Sequence, residues 1–70
     1  MTTPIAVIDK NSREVVRIAW DTYEGHQFVD CRVYYRDGDE LKPTRKGLAI
    51  PPRLIDDVAA ALIEAGRRRP

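Results

Sequence analysis

Lys42, Pro43, Thr44, Arg45, Lys46 and Gly47 put three cations into six residues with no acid among them, directly after a strand-like run of aromatics. Ammonium and guanidinium groups at that density suit phosphate oxygens, to which each offers charge-assisted hydrogen bonds. By default a short basic run is only a solvated turn. Its meaning depends on what the rest of the chain sets beside it.

Other chemistry finds little support. His26 and Cys31 differ in strand parity and point to opposite faces, which removes the one Cys/His nucleophile pair, and Cys31 reads as a small buried hydrophobe. Asp30 shares the parity of His26, but four residues along a strand separate them by about 13 Å, too far for a base and its orienting acid. Gly38 to Lys46 is no P-loop, because it lies within a hairpin rather than between a strand and a helix. No Cys/His spacing suggests a structural metal, so neither an enzyme nor a cofactor or metal protein is expected.

Seventy residues make one small domain, 1–70, with a core over about 14–65 and a basic tail at 67–70. Such a chain buries only about 60% of its unfolded surface when it folds alone. A single cysteine cannot form an internal disulfide, so oligomerisation is the natural source of the missing burial, and a homodimer is expected. The longest apolar stretch, Val58 to Ile63, is too short to span a bilayer, and no cationic segment precedes an apolar run at the N-terminus. The expectation is a soluble intracellular protein without a membrane partner, cytoplasmic or nucleoid-associated in a bacterium and nuclear in a eukaryote.

Twelve Lys and Arg against eleven Asp and Glu leave a formal charge of +1, so no global basic excess points to nucleic acid. The distribution is uneven. Acids gather at Asp37 to Glu40 and at Asp56, Asp57 and Glu64, while cations gather at Lys42 to Lys46 and Arg67 to Arg69, which leaves room for one positive face.

The elements that would position these residues are strands followed by one helix. Ile5 to Ile8 reads as an edge strand and Asp9 to Arg13 as a turn. From Val15 to Arg36 two β-rich runs flank Glu24 and Gly25, a tight hairpin loop, although Glu is unfavourable in a left-handed position. That loop pairs Tyr23 with His26; of the pairs that follow, Trp20 with Val29, Ile18 with Cys31 and Val16 with Val33 make one face wholly apolar. The opposite face pairs Asp21 with Phe28, Ala19 with Asp30, Arg17 with Arg32 and Val15 with Tyr34. A slip of one residue would scramble both faces, so the pattern supports its own register.

Asp37 and Gly38 mark the next turn, and Leu41 to Ile50 returns as a third long strand, irregular near Pro43 and Gly47. A two-residue loop would point Lys42 and Lys46 at the apolar face, a three-residue loop at the polar one; the second is physically preferable. Pro51 and Pro52 stop the strand, Pro52 suits the first helical position, Asp56 and Asp57 fall early in the helix, and Gly66 is placed to end it. Leu54, Val58, Ala61, Leu62 and Ala65 form an apolar stripe, which must cover the apolar sheet face or meet its copy in a dimer. The fold class is α+β: a curved antiparallel sheet of about four strands, then one C-terminal helix, homodimeric.

On the open face, Arg17 opposite Arg32 destabilises a ladder unless an anion lies between them. The plainer alternative, favoured on these residues alone, is that Asp30 and Asp21 neutralise the arginines as surface ion pairs worth about 0–1 kcal/mol. The aromatics shift the balance. Tyr23, Phe28 and Tyr34 share this face with Arg17, Arg32 and Arg36, and interleaved rings and cations are what a sheet needs to stack bases while holding one strand's backbone. Tyr35 has the parity of Val33 and Cys31, so either a bulge re-aims it or it packs at the sheet edge.

These residues carry a resemblance. Tyr23, Glu24 and Gly25, then Val29 to Tyr35, then Leu41 to Gly47 with Leu48, Ala49, Ile50 and a proline-started helix resemble the positive-cofactor-4-type transcriptional coactivators, including their short bacterial relatives. The likeness covers about residues 14–65 and rests on an aromatic-X-Gly hairpin, Asp-X-Arg and Lys-Pro-X-Arg-Lys-Gly in that order. It implies a homodimeric single-stranded-DNA-binding domain whose sheets and hairpins form the nucleic-acid channels. It further implies that Tyr23 and Tyr35 stack bases, while Arg32, Lys42, Arg45 and Lys46 hold phosphates; the pairing argument adds Arg17. The chain departs from better-known members in carrying Asp21, Glu24 and His26 around the first hairpin, in having Tyr where some place Trp at position 35, and in lacking the long regulatory tail of the eukaryotic protein.

The expected function is single-stranded DNA binding with a role as a transcription cofactor. DNA or RNA is left open, and the transcription machinery is a further expected partner. The rival reading is a protein-interaction module that docks a transcription protein through the helix or the sheet face.

Overall fold

The computed structural model describes residues 3–70. Four strands, β1 (Ala6–Asp9), β2 (Glu14–Tyr23), β3 (His26–Asp37) and β4 (Glu40–Ile50), form one antiparallel sheet in the order β1-β2-β3-β4. A 3-10 turn at Pro52–Leu54 leads into a single helix, α1 (Ile55–Arg67). This is the expected α+β meander with one C-terminal helix.

The long hairpin has the register that the alternation predicts. Tyr23 pairs with His26, Trp20 with Val29, Ile18 with Cys31, Arg17 with Arg32 and Val15 with Tyr34, without interruption from Glu14 to Tyr23. Glu24 (φ 51°) and Gly25 (φ 80°) both take left-handed conformations at the tip. A two-residue loop with both φ values positive matches the right-handed twist of its strands, which is why the turn holds despite a glutamate at its first position. Before β2, the Asn11 side-chain oxygen accepts from the N–H groups of Arg13 and Glu14, both at 2.9 Å, and closes the turn out of β1.

The second hairpin departs from the preferred register. Asp37 pairs with Glu40 across a two-residue loop, not a three-residue one, and Gly38 (φ 62°) supplies the left-handed first position. Lys42 therefore pairs with Tyr35 and shares the face of Val33 and Cys31. The ladder tolerates this because it then breaks: Arg32 pairs with Gly47 and Tyr34 with Pro43, so one β3 residue lies opposite three on β4. An excess of two residues preserves parity, and Leu48 and Ile50 return to the face of Cys31 and Val29.

Burial also differs from expectation. Val15 and Ala19, on the face that carries the arginines, are only 0% and 1% exposed, while Val29 and Ile50 on the aliphatic face complete the buried set. Cover, not hydropathy, decides this. Short side chains on the arginine face lie among long ones that can fold over them, with Tyr34 opposite Val15 and the Arg17 guanidinium 5.3 Å from the Tyr34 ring centre. On the aliphatic face Ile8, Trp20 and Leu48 stay exposed.

The helix does not lie across that face. It packs against the 3-10 turn, which touches β3, and no helical residue is buried; Leu62 and Ile63 are each 68% exposed. The radius of gyration is 13.4 Å, against about 11 Å for a compact chain of this length. Of the two expected fates of the apolar stripe, packing on the chain's own sheet is thus excluded. Pro52 opens the helical segment as a 3-10 turn, and Asp56 and Asp57 lie in the first turn of α1. Gly66 does not end the helix: α1 continues to Arg67, the Arg68 N–H donates to the Glu64 and Ala65 carbonyls, and the Arg68 and Arg67 side chains pair with Glu64 at 2.8 and 3.9 Å. Among the described residues no helix is long and apolar enough to cross a membrane.

Candidate nucleic-acid interface

The seven residues singled out from the sequence divide between the two faces of the sheet. Arg17, Arg32 and Tyr23 belong by pairing to one face, since Arg17 pairs with Arg32 and Tyr23 with His26. Tyr35 and Lys42 pair with each other on the opposite face. Lys46 lies near enough to Glu14, the β2 partner of Tyr35, to help lower its carboxyl pKa. Arg45 sits within the bulge. The chain gathers these residues into two groups rather than a single channel.

On the arginine face the cations have internal partners. Arg32 Nε lies 3.1 Å from Asp30 Oδ2, and Arg32 Nη1 donates to the Thr44 carbonyl at 2.8 Å. Arg36 pairs with Asp9 at 2.9 Å. Arg17 stacks on Tyr34 and donates to its hydroxyl at 3.4 Å, a cation–π contact within the usual 6 Å reach. Part of the tension between Arg17 and Arg32 is thus relieved without a bound anion, by Asp30 as the plainer reading expects and by the Tyr34 ring.

On the other face Lys42 pairs with Asp37 at 2.8 Å, with both side chains about half exposed. Arg45 and Lys46 are exposed and form no ion pair among the described residues. The exposed rings are Tyr23, 68% accessible at the hairpin, and Tyr35, 41% accessible beside Lys42. The parity of Tyr35 is that of the aliphatic face, because the bulge lies in β4 and does not re-aim β3.

The hydrogen bond from Asn11 and, less strongly, Lys10 and Lys46 hold the Glu14 carboxyl below its ordinary value, and desolvation, second in size only to the Asn11 bond, opposes them. Burial pushes the Cys31 thiol up, and the adjacent Asp30 charge pushes the same way, so little thiolate forms at neutral pH.

Three residues outside the predicted site shape it. Thr44 and Gly47 organise the bulge, hinted at only by the irregular Pro43 and Gly47 spacing, and Asp30 anchors Arg32, as the ion-pair alternative for the open face expects. An open groove at the hairpin end, lined by Thr22, His26, Gln27, Phe28, Pro51 and Pro52, was also unforeseen, because it forms where the chain leaving β4 folds back toward the β2–β3 tip.

A single open antiparallel sheet with a trailing helix and an exposed basic bulge defines a small α+β protein. The family model described as Transcriptional Coactivator p15 (PC4) matches residues 10–61, and the chain belongs to that family. It is similar to the crystal structure of a PC4 homolog from Burkholderia pseudomallei K96243. In the orthorhombic form the TM-score is 0.90 at 33% identity, covering 97% of this chain and 93% of the other. In the tetragonal form the TM-score is 0.84 at 33% identity, with 94% and 98% covered. No curated protein matches the sequence.

Proposed function

We propose that the protein is a homodimeric, single-stranded-DNA-binding transcription cofactor whose single domain spans residues 1–70. Membership of the p15 (PC4) coactivator family supports a role in transcription. The observation that carries the binding reading is the pairing state of the cations. Arg32, Arg36 and Lys42 are held by acids, whereas Arg45 and Lys46 stand exposed on the bulge with no ion pair among the described residues. Their charge is available to phosphates, and Tyr23 and Tyr35 offer rings to unpaired bases.

Uncovered apolar surface supports dimerisation. Leu62 and Ile63 on α1 and Trp20 and Leu48 on the sheet remain exposed, and a second copy of the chain would bury them. A second copy also offers a way to set the Tyr23 group of one subunit beside the Tyr35 and Lys46 group of the other. The same apolar stripe favours a second reading, docking of a transcription protein on the helix, and the two compete for one surface.

Titration with an oligothymidine strand and with a matched duplex, followed by tyrosine and tryptophan fluorescence over a range of salt, tests the binding reading. Each single-strand phosphate contact adds about −0.7 to the log–log salt slope, so three or four contacts give about −2 to −3. Equal affinity for duplex, or a flat salt response, refutes it. Light scattering that reports a monomer at micromolar concentration refutes the dimer.

A further inference from the structure

Where β3 contributes Val33 alone, β4 contributes Thr44, Arg45 and Lys46, so the bulge takes backbone groups out of the regular ladder. Thr44 meets that need. Its hydroxyl donates to the Val33 carbonyl at 2.7 Å and accepts from the Lys46 N–H at 3.1 Å, bridging the two strands across the gap. Its own carbonyl accepts from Arg32 Nη1 at 2.8 Å. Arg32 reaches it because Gly47 has no side chain: a Cβ there would stand 2.7 Å from Arg32 Cζ and 2.9 Å from Nη1. Asp30 holds the guanidinium at Nε. A hydroxyl that donates and accepts at once, on a β-branched residue with few rotamers, is well suited to the place.

We propose that Thr44 is a positioning residue for phosphate binding, fixing the bulge in the one shape that presents Arg45 and Lys46. The inference rests on the single-strand reading above. Without the hydroxyl the bulge loses its cross-strand bridge, and two long cationic side chains and their backbone must be ordered when the nucleic acid arrives. Arg32 then acts in part through Thr44, as the brace of the bulge.

Thr44→Val removes the hydroxyl and keeps the shape, Thr44→Ser restores it, and neither changes the charge. Amide exchange at Lys46 and oligothymidine affinity at fixed low salt are measured on all three proteins. Thr44→Val is expected to lose protection at Lys46, bind about fivefold to tenfold more weakly and show a shallower salt slope, while Thr44→Ser behaves as wild type. A slope that falls with no charge removed distinguishes positioning from a general loss of stability. Where Thr44→Val is unfolded at the assay temperature, Thr44→Ala carries the test: it too removes the hydroxyl, without placing a methyl in its position, and is expected to lower both protection and affinity. Wild-type affinity in Thr44→Val, or in Thr44→Ala when that variant stands in, overturns this role alone. A wild-type protein that does not bind oligothymidine overturns the functional reading, and the role of Thr44 with it.

Discussion

The β2–β3 hairpin turns through Glu24 and Gly25 and pairs continuously down to Glu14, whereas the β3–β4 hairpin turns through Gly38 and Asp39 and breaks between Pro43 and Gly47. The regular hairpin holds the fully buried Val15 and spends its arginines on internal partners: Arg32 on Asp30, Arg17 on Tyr34. The irregular one gives up ladder bonds, yet it carries Arg45 and Lys46 exposed. Continuous pairing sets geometry, and the interruption leaves two neighbouring cations exposed beside the aromatic strand with no ion pair among the described residues. The two tasks are separable along β3, which serves as the shared strand.

The largest effect expected from this contrast concerns stability. Val15→Ala, at a fully buried site, should cost about 2–3 kcal/mol in urea unfolding, by lost transfer energy and the cavity left behind. Arg45→Ala, exposed on the bulge, should stay within about 0.5 kcal/mol. Equal costs would erase the distinction between a structural and a functional hairpin.

Tyr23→Ala should weaken oligothymidine binding by about 1–3 kcal/mol if the ring stacks on a base, with little change in folding, since the side chain is 68% exposed. Unchanged affinity in a folded variant would leave the first hairpin purely structural. A smaller gain is available at its tip. Glu24 sits at φ 51°, where asparagine is better tolerated, so Glu24→Asn should stabilise the fold by about 0.5–1 kcal/mol. A lower denaturation midpoint would show that Glu24 makes a compensating interaction.

The smallest effect links the two regions. The Glu14 carboxyl titrates below its unfolded value of 4.5, so its contribution to stability is present above that value and is lost as pH falls through the lowered folded one. Asn11 dominates the shift and Lys46 contributes last. Lys46→Ala should therefore raise the Glu14 pKa slightly in an NMR titration, and Asn11→Ala should raise it more. The reverse order would mean that the bulge, rather than the turn after β1, governs this carboxylate.

The first hairpin was legible residue by residue because its alternation is strict: a slip of one would carry Ile18, Trp20 and Val29 to the wrong face. No such constraint acts on Lys42 to Gly47, where polar residues, a proline and a glycine impose no period, and the two-residue excess restores parity beyond the break. The burial of Val15 and Ala19 was hidden for another reason. Hydropathy marks which face is apolar, but cover on a single-layer sheet comes from the length of neighbouring side chains. The stripe on α1 could be read from its spacing, yet nothing within one chain supplies its partner. Tyr23, Arg45 and Lys46 could be singled out from residue type and the family resemblance, whereas Thr44 and Gly47 become visible only as hydrogen bonds and as space.

The proposed phosphate-binding role of Arg45 and Lys46 is tested by the salt dependence of oligothymidine binding by the wild type and by an Arg45→Ala, Lys46→Ala double variant. Loss of two contacts should make the log–log slope shallower by about 1.4, at unchanged stability. An unchanged slope in the double variant would contradict that role.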